Sequence, residues 1–138
     1  MVLADGAGTP LGIHLEKASP SEVRLVEATL KSVRVKTGKR KCGKPRRLIG
    51  DRGYDSNTVR ALLVKRGIEP IIPARSNNTV ATHQDGRKMR RYKRRWIIER
   101  STSWLQHFRR LVVRYERSPT IFAALVHMAC ALITLKRV

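Results

Sequence analysis

Two of the chain's four aspartates fall in one nonapeptide, LIGDRGYDS at positions 48 to 56. An apolar pair running into Asp51 can be a strand that ends in a turn. It can also be a strand end that presents a carboxylate to a metal ion, because hard divalent cations take oxygen ligands. A second acid far along the chain, Glu99, stands in the spacing Tyr92-x2-Arg95-x3-Glu99. At ~100° per residue, Tyr92, Arg95, Glu99, Ser103 and Gln106 share one side of a helix, opposite a stripe of Ile97, Ile98, Trp104, Leu105, Phe108, Leu111 and Val112. Glu99 is thus kept off the apolar stripe, on a face that is either solvated or functional. Other chemistry has little support. Cys42 and Cys130 form no CxxC, and His14, His107 and His127 form no zinc-ligand spacing with acids or cysteines. Ser101 and Ser103 have no evident base to activate them.

The elements that must position these side chains follow from periodicity. Residues 2–5 and 11–18 read as a hairpin in which Leu11, Ile13 and Leu15 alternate with polar or small residues, with Asp5 as a turn residue. Ser19-Pro20-Ser21-Glu22 opens a short helix that turns Leu25, Val26 and Leu30 to the core. A basic loop and strand over 31–52 lead to Asp51. Ser56-Asn57 begins a helix with Val59, Leu62 and Leu63 inward, and 68–74 forms a strand between prolines. Strand, helix, strand predicts a parallel α/β arrangement. A polar loop over 75–87, holding His83 and Asp85, precedes a basic helix over 87–117. The apolar helix over 119–137 falls short of the ~20 residues that a membrane span needs and carries His127, so it reads as a buried core helix.

Charge bounds the function. A 138-residue chain with thirty Lys and Arg against ten Asp and Glu has a formal charge of +20, which calls for a densely anionic partner. Residues 31–52 hold ten Lys and Arg against one acid, a concentration that phosphate contact explains better than solvation alone. Nucleic acid leads and a membrane surface is weaker. An RNA-binding protein of ribosomal type is disfavoured by the long apolar C-terminal segment and by having only seven aromatic residues. The separated cysteines point to a reducing compartment, and MVLADGAGTP has no signal-peptide pattern, so the chain is expected in the cytoplasm or on the nucleoid.

Together, LIGDRGYDS and Tyr92-x2-Arg95-x3-Glu99 resemble the DDE transposases of bacterial insertion sequences, of the IS4/IS5-like superfamily. That family carries D-[KR]-G-Y-D at its second catalytic aspartate and Y-x2-R-x3-E-x6-K at its third acid. The similarity also takes in DGAGTPLG, PIIPAR, FRRLVVRYER and the apolar C-terminal helix, in the family's order. The resemblance implies one ribonuclease-H-like α/β domain over 1–138. Asp51 and Glu99 would be the second and third acids, holding Mg²⁺ or Mn²⁺ for phosphodiester transfer by paired ions about 3.5–4 Å apart. Tyr92 and Arg95 would contact backbone phosphate, joined by Lys44, Arg46, Arg47, Arg52, Arg91 and Arg94 of the basic segments. Two departures stand out. Gln106 occupies the position of the family's lysine, where a neutral group would contact DNA. The family's first acid lies on a strand upstream of the hairpin, and Asp5 matches the hairpin turn instead. The chain therefore looks like the C-terminal, N-terminally incomplete portion of a transposase: a frameshift second half, a decayed fragment or the product of a misplaced start codon. Expected partners are double-stranded DNA at element ends and target, a complementing N-terminal segment and a second copy. Alone it would be inactive, and the alternative is a basic DNA-binding fragment that inhibits transposition.

Overall fold

A computed structural model describes residues 1–16, 22–33, 45–76 and 86–137. Lys44, Cys42, most of the basic loop, the Ser19-Pro20-Ser21 cap, His83 and Asp85 lie outside them.

β1 (Val2–Ala4) and β2 (Pro10–Ile13) form the antiparallel hairpin, pairing Val2 with Ile13 and Leu3 with Gly12. Asp5 builds its turn: Oδ1 accepts from the backbone N–H groups of Ala7 and Thr9, both at 2.8 Å. This is the local bonding that suits aspartate to turns. β2 is shorter than the alternation predicts. The last pairing is His14 N to Met1 O, and Leu15 beyond it is exposed.

Next come α1 (Glu22–Ser32), β3 (Arg47–Ile49), a 3₁₀ turn (Arg52–Tyr54), α2 (Asn57–Lys65) and β4 (Glu69–Ile71). β3 and β4 are parallel, with Leu48 opposite Pro70 and Ile49 opposite Ile71, as strand–helix–strand requires. Apolar positions of α1, β3 and α2 meet here: Val26, Leu48, Val59, Leu63, Ile68 and Ile72 form one core cluster, with Leu3, Leu30, Leu62 and Tyr54 against it. Leu63 is wholly enclosed, so Leu63→Ala should cost about 2–5 kcal/mol, read by urea denaturation. On the surface, Glu27 of α1 reaches both Lys31 (3.1 Å) and Arg66 at the end of α2 (2.8 Å). The hydrogen bond and charge of Lys31, and then Arg66, hold its carboxyl below the ordinary range.

The last third departs from expectation. The basic stretch 87–117 is not one helix but α3 (Gly86–Tyr92), a 3₁₀ turn (Lys93–Arg95), α4 (Trp96–Gln106) and a short α5 (Arg109–Val112). The break comes at Phe108, whose backbone is extended (φ −83°, ψ 100°), and its ring packs beside the cluster of Leu105, Ala129 and Ile133. A helical wheel assumes unbroken dihedrals, which is why Val112, placed on the stripe, is 60% exposed. α6 (Pro119–Leu135) also corrects the reading of a buried core helix. Val126, Ala129 and Ile133 are buried, but Ile121, Met128, Leu132 and Leu135 face solvent. An all-apolar helix needs cover all round, and among the described residues only one side of α6 has it. No helix among these residues is long and apolar enough to cross a membrane.

α4 is docked on the hairpin turn. Arg100 Nη2 donates to Ala7 O (2.8 Å), and the Ser101 hydroxyl lies 2.7 Å from Gly8 O and 2.9 Å from Ile97 O, sharing one proton between them. Gly8 sits at φ +87°, and a Cβ there would meet Ser101 Oγ at 3.0 Å and Trp104 Cζ3 at 3.2 Å. Gly8→Ala should therefore lower stability by about 1–3 kcal/mol through a strained φ and a displaced α4; thermal unfolding would register it.

Candidate active site

Asp51 stands two residues beyond the end of β3 as the N-cap of the 3₁₀ turn, with Oδ1 accepting from Gly53 N at 2.6 Å. A Cβ on Gly53 would lie 2.8 Å from that same Oδ1, so the glycine lets the carboxylate fold back over the turn. Asp51 Oδ2 stays clear of this cap and lies 3.6 Å from Arg95 Nη1. The other nitrogen of the same guanidinium, Nη2, is 2.6 Å from Glu99 Oε1, one helical turn on. The two acids are thus separated by no more than one guanidinium and its contacts. They come from opposite halves of the chain. Their side chains remain accessible, Asp51 at 44% and Glu99 at 60%.

Beside them opens a cleft of about 400 Å³ lined by Asp51, Arg52, Gly53, Pro73, Met89, Tyr92 and Arg95. Carboxylate oxygens are the hard donors that Mg²⁺ and Mn²⁺ prefer, so Asp51 and Glu99 suit two ligand positions. Among the described residues, no group of three His, Cys, Asp or Glu is close enough to hold a metal ion. His107 Nδ1 is bonded to Ser103 O (2.8 Å), and His14 lies 3.7 Å from Glu16. Cys130 is half-buried, and burial pushes its thiol pKa up.

The cations divide. Arg52, Arg95 and Tyr92 line the cleft, and Arg91 and Arg94 are exposed on neighbouring turns. Arg46 is exposed at the start of β3, whereas Arg47 lies 3.3 Å from Glu69 across the strand pair. Gln106 is exposed in the last turn of α4, about 10 Å beyond Glu99 along the axis at 1.5 Å per residue.

The second aspartate of the nonapeptide turns inward. Asp55 has a fully buried carboxylate: Oδ1 accepts from Arg60 (Nη2 2.8 Å, Nε 2.9 Å) and Oδ2 from Arg75 N (2.6 Å). Arg60 also donates to Ile72 O (2.8 Å), and the Arg75 side chain donates to Arg52 O (2.9 Å) and Gly53 O (2.7 Å). These bonds strap the loop carrying Asp51 to α2 and to the segment after β4. The pairing of two aspartates in one short loop was a visible signal for Asp55. Nothing in the spacing of Arg60 or Arg75 announces their part.

The chain belongs to the transposase DDE domain family, whose model matches residues 1–134. Among similar proteins, one described as a transposase for insertion sequence element IS402 of Burkholderia cepacia is 36% identical over 141 residues, covering 99% of this chain and 63% of that protein. Another, described as a transposase for insertion sequence element IS6501 of Brucella ovis, is 32% identical over 91 residues, covering 64% of this chain and 67% of that protein. The chain thus spans somewhat less than two thirds of the length of the IS402 protein. No solved structure gives a significant match.

Proposed function

We propose that residues 1–138 form one partial catalytic domain of an insertion-sequence transposase, of ribonuclease-H-like fold, acting in the cytoplasm on nucleoid DNA. Asp51 and Glu99 supply two carboxylates for Mg²⁺ or Mn²⁺, and a further acid comes from an upstream segment. Held there, such ions would supply activation of an attacking oxygen and charge stabilisation of a leaving one in strand cleavage and joining. The chain's own residues bind and orient the DNA: Arg95 and Tyr92 hold the phosphate next to the acids, Arg52, Arg91 and Arg94 extend the grip, and Gln106 offers a neutral hydrogen bond further along. Arg46, exposed just before β3, adds to this grip, and Lys44 is a further candidate by its charge alone. Arg47 is partly neutralised by Glu69 and should contribute less.

The observation that carries this reading is the meeting of Asp51 and Glu99 on one guanidinium at an open basic cleft. A second reading is a DNA-binding fragment without catalysis, resting on the same basic cleft.

Both readings expect strong duplex binding. If six to ten phosphates are neutralised, affinity should fall about 10³–10⁵-fold between roughly 50 and 200 mM salt. A flat salt response in a fluorescence-anisotropy titration removes both. Cleavage separates them: labelled element ends should be cut with Mg²⁺ or Mn²⁺ only when an upstream segment carrying an aspartate is joined to the chain. If the joined protein binds and never cuts, the non-catalytic reading stands.

A further inference from the structure

Arg95 lies where a cation shared by the two acids would lie. An arginine fork on a single carboxylate normally makes two parallel bonds to it. Here the fork is split, Nη2 to Glu99 Oε1 at 2.6 Å and Nη1 toward Asp51 Oδ2 at 3.6 Å. Asp51 Oδ1 is occupied by Gly53 N, so the oxygen most available to a metal ion is the one facing Arg95.

We propose that Arg95 is a resident counter-cation of the Asp51–Glu99 pair, which a divalent ion displaces and which then takes a DNA phosphate, so that metal and DNA each strengthen the binding of the other. This rests on the metal and DNA reading above and adds a direction to it: without DNA, Arg95 opposes metal binding. The contrast with Arg60 decides which arginine can exchange. Arg60 is 15% exposed, its partner Asp55 is fully buried, and a backbone carbonyl holds it as well, so that pair is structural. Arg95 is 38% exposed, with both partners more open still. Exposed ion pairs are weakly held and cheaply broken. A divalent ion placed between the acids repels the adjacent guanidinium. Arg95 then swings into the cleft that Arg52 and Tyr92 also line, where a phosphate can bind it. By linkage, whatever factor DNA adds to metal affinity, metal adds to DNA affinity.

The test is Mn²⁺ binding to the full chain, followed by electron paramagnetic resonance of the free ion, with and without duplex. Without DNA, Arg95→Gln should bind Mn²⁺ about three- to tenfold tighter than the parent, and Arg95→Lys, which keeps the charge without the fork, should fall between them. With duplex, the parent should gain affinity and the variant should gain less. Lys65→Gln removes one charge at a remote, exposed site on α2 and should leave Mn²⁺ affinity within about twofold. Equal or weaker Mn²⁺ binding by Arg95→Gln without DNA overturns the proposal, as does an equal gain in Lys65→Gln. If the Asp51→Asn/Glu99→Gln double variant binds Mn²⁺ as well as the parent, the metal reading itself falls, and this proposal with it.

Discussion

An Asp55→Ala substitution should lower the stability of the chain by about 3–5 kcal/mol, because removing one partner leaves the other charge buried and uncompensated. The Arg60 guanidinium would stay largely enclosed against Ile72 O with no carboxylate beside it, and Arg75 N would lose its acceptor. A loss of that size is a large fraction of the about 5–15 kcal/mol that keeps a typical domain folded. Urea denaturation followed by circular dichroism gives the number. Asp55→Asn keeps the volume and one acceptor and should cost clearly less. Equal losses for the two variants would mean that charge, not shape, holds the loop. Because Arg75 also grips Arg52 O and Gly53 O, partial loosening should disorder the turn around Asp51 before the core of Leu63 and Ile72 fails.

Glu99→Gln carries the other large effect, on chemistry and not on folding. In a transposase completed by its upstream segment, single-turnover cleavage of a labelled element end should fall at least about 10³-fold, roughly 4 kcal/mol of barrier. An amide is nearly isosteric with the carboxylate but brings no charge to a divalent ion. The side chain is 60% exposed, so stability should change by less than about 0.5 kcal/mol. Duplex affinity should hold or rise slightly, since one negative charge is removed from a surface that meets phosphate. Retention of cleavage within tenfold would take Glu99 out of the active site.

How far these features could be read from sequence depended on their range along the chain. α1, α2 and the β3–α2–β4 unit are written in local periodicity: Val26 and Leu30, or Val59 and Leu63, recur at helical spacing and are drawn inward in the fold. Asp5 at its turn was equally legible, because an aspartate bonds its own neighbouring backbone. α6 was half legible. Its apolar run announced a helix, but which side would be covered depends on contacts with Leu105 and Phe108 that no pattern within α6 encodes. The break at Phe108 was hidden for a related reason, since a wheel extrapolates helical dihedrals past the point where tertiary packing ends them. Asp51 and Glu99 stood out as motifs, but their nearness, the split fork of Arg95, and the straps from Arg60 and Arg75 arise only when remote segments meet. Ser101, without a partner in the sequence, proved to be a packing hydroxyl shared with the hairpin turn.

The bonds from Arg100 and Ser101 to Ala7 and Gly8 each close a span of 93 residues. Contacts so distant along the polypeptide form late and slowly, because loop closure must precede any reward from them. During synthesis on a ribosome, the hairpin and the β3–α2–β4 unit would emerge and settle while the partner helix was still unmade. Juxtaposition of the acids therefore waits on synthesis of α4, and a product terminated before it would carry Asp51 without ever meeting Glu99.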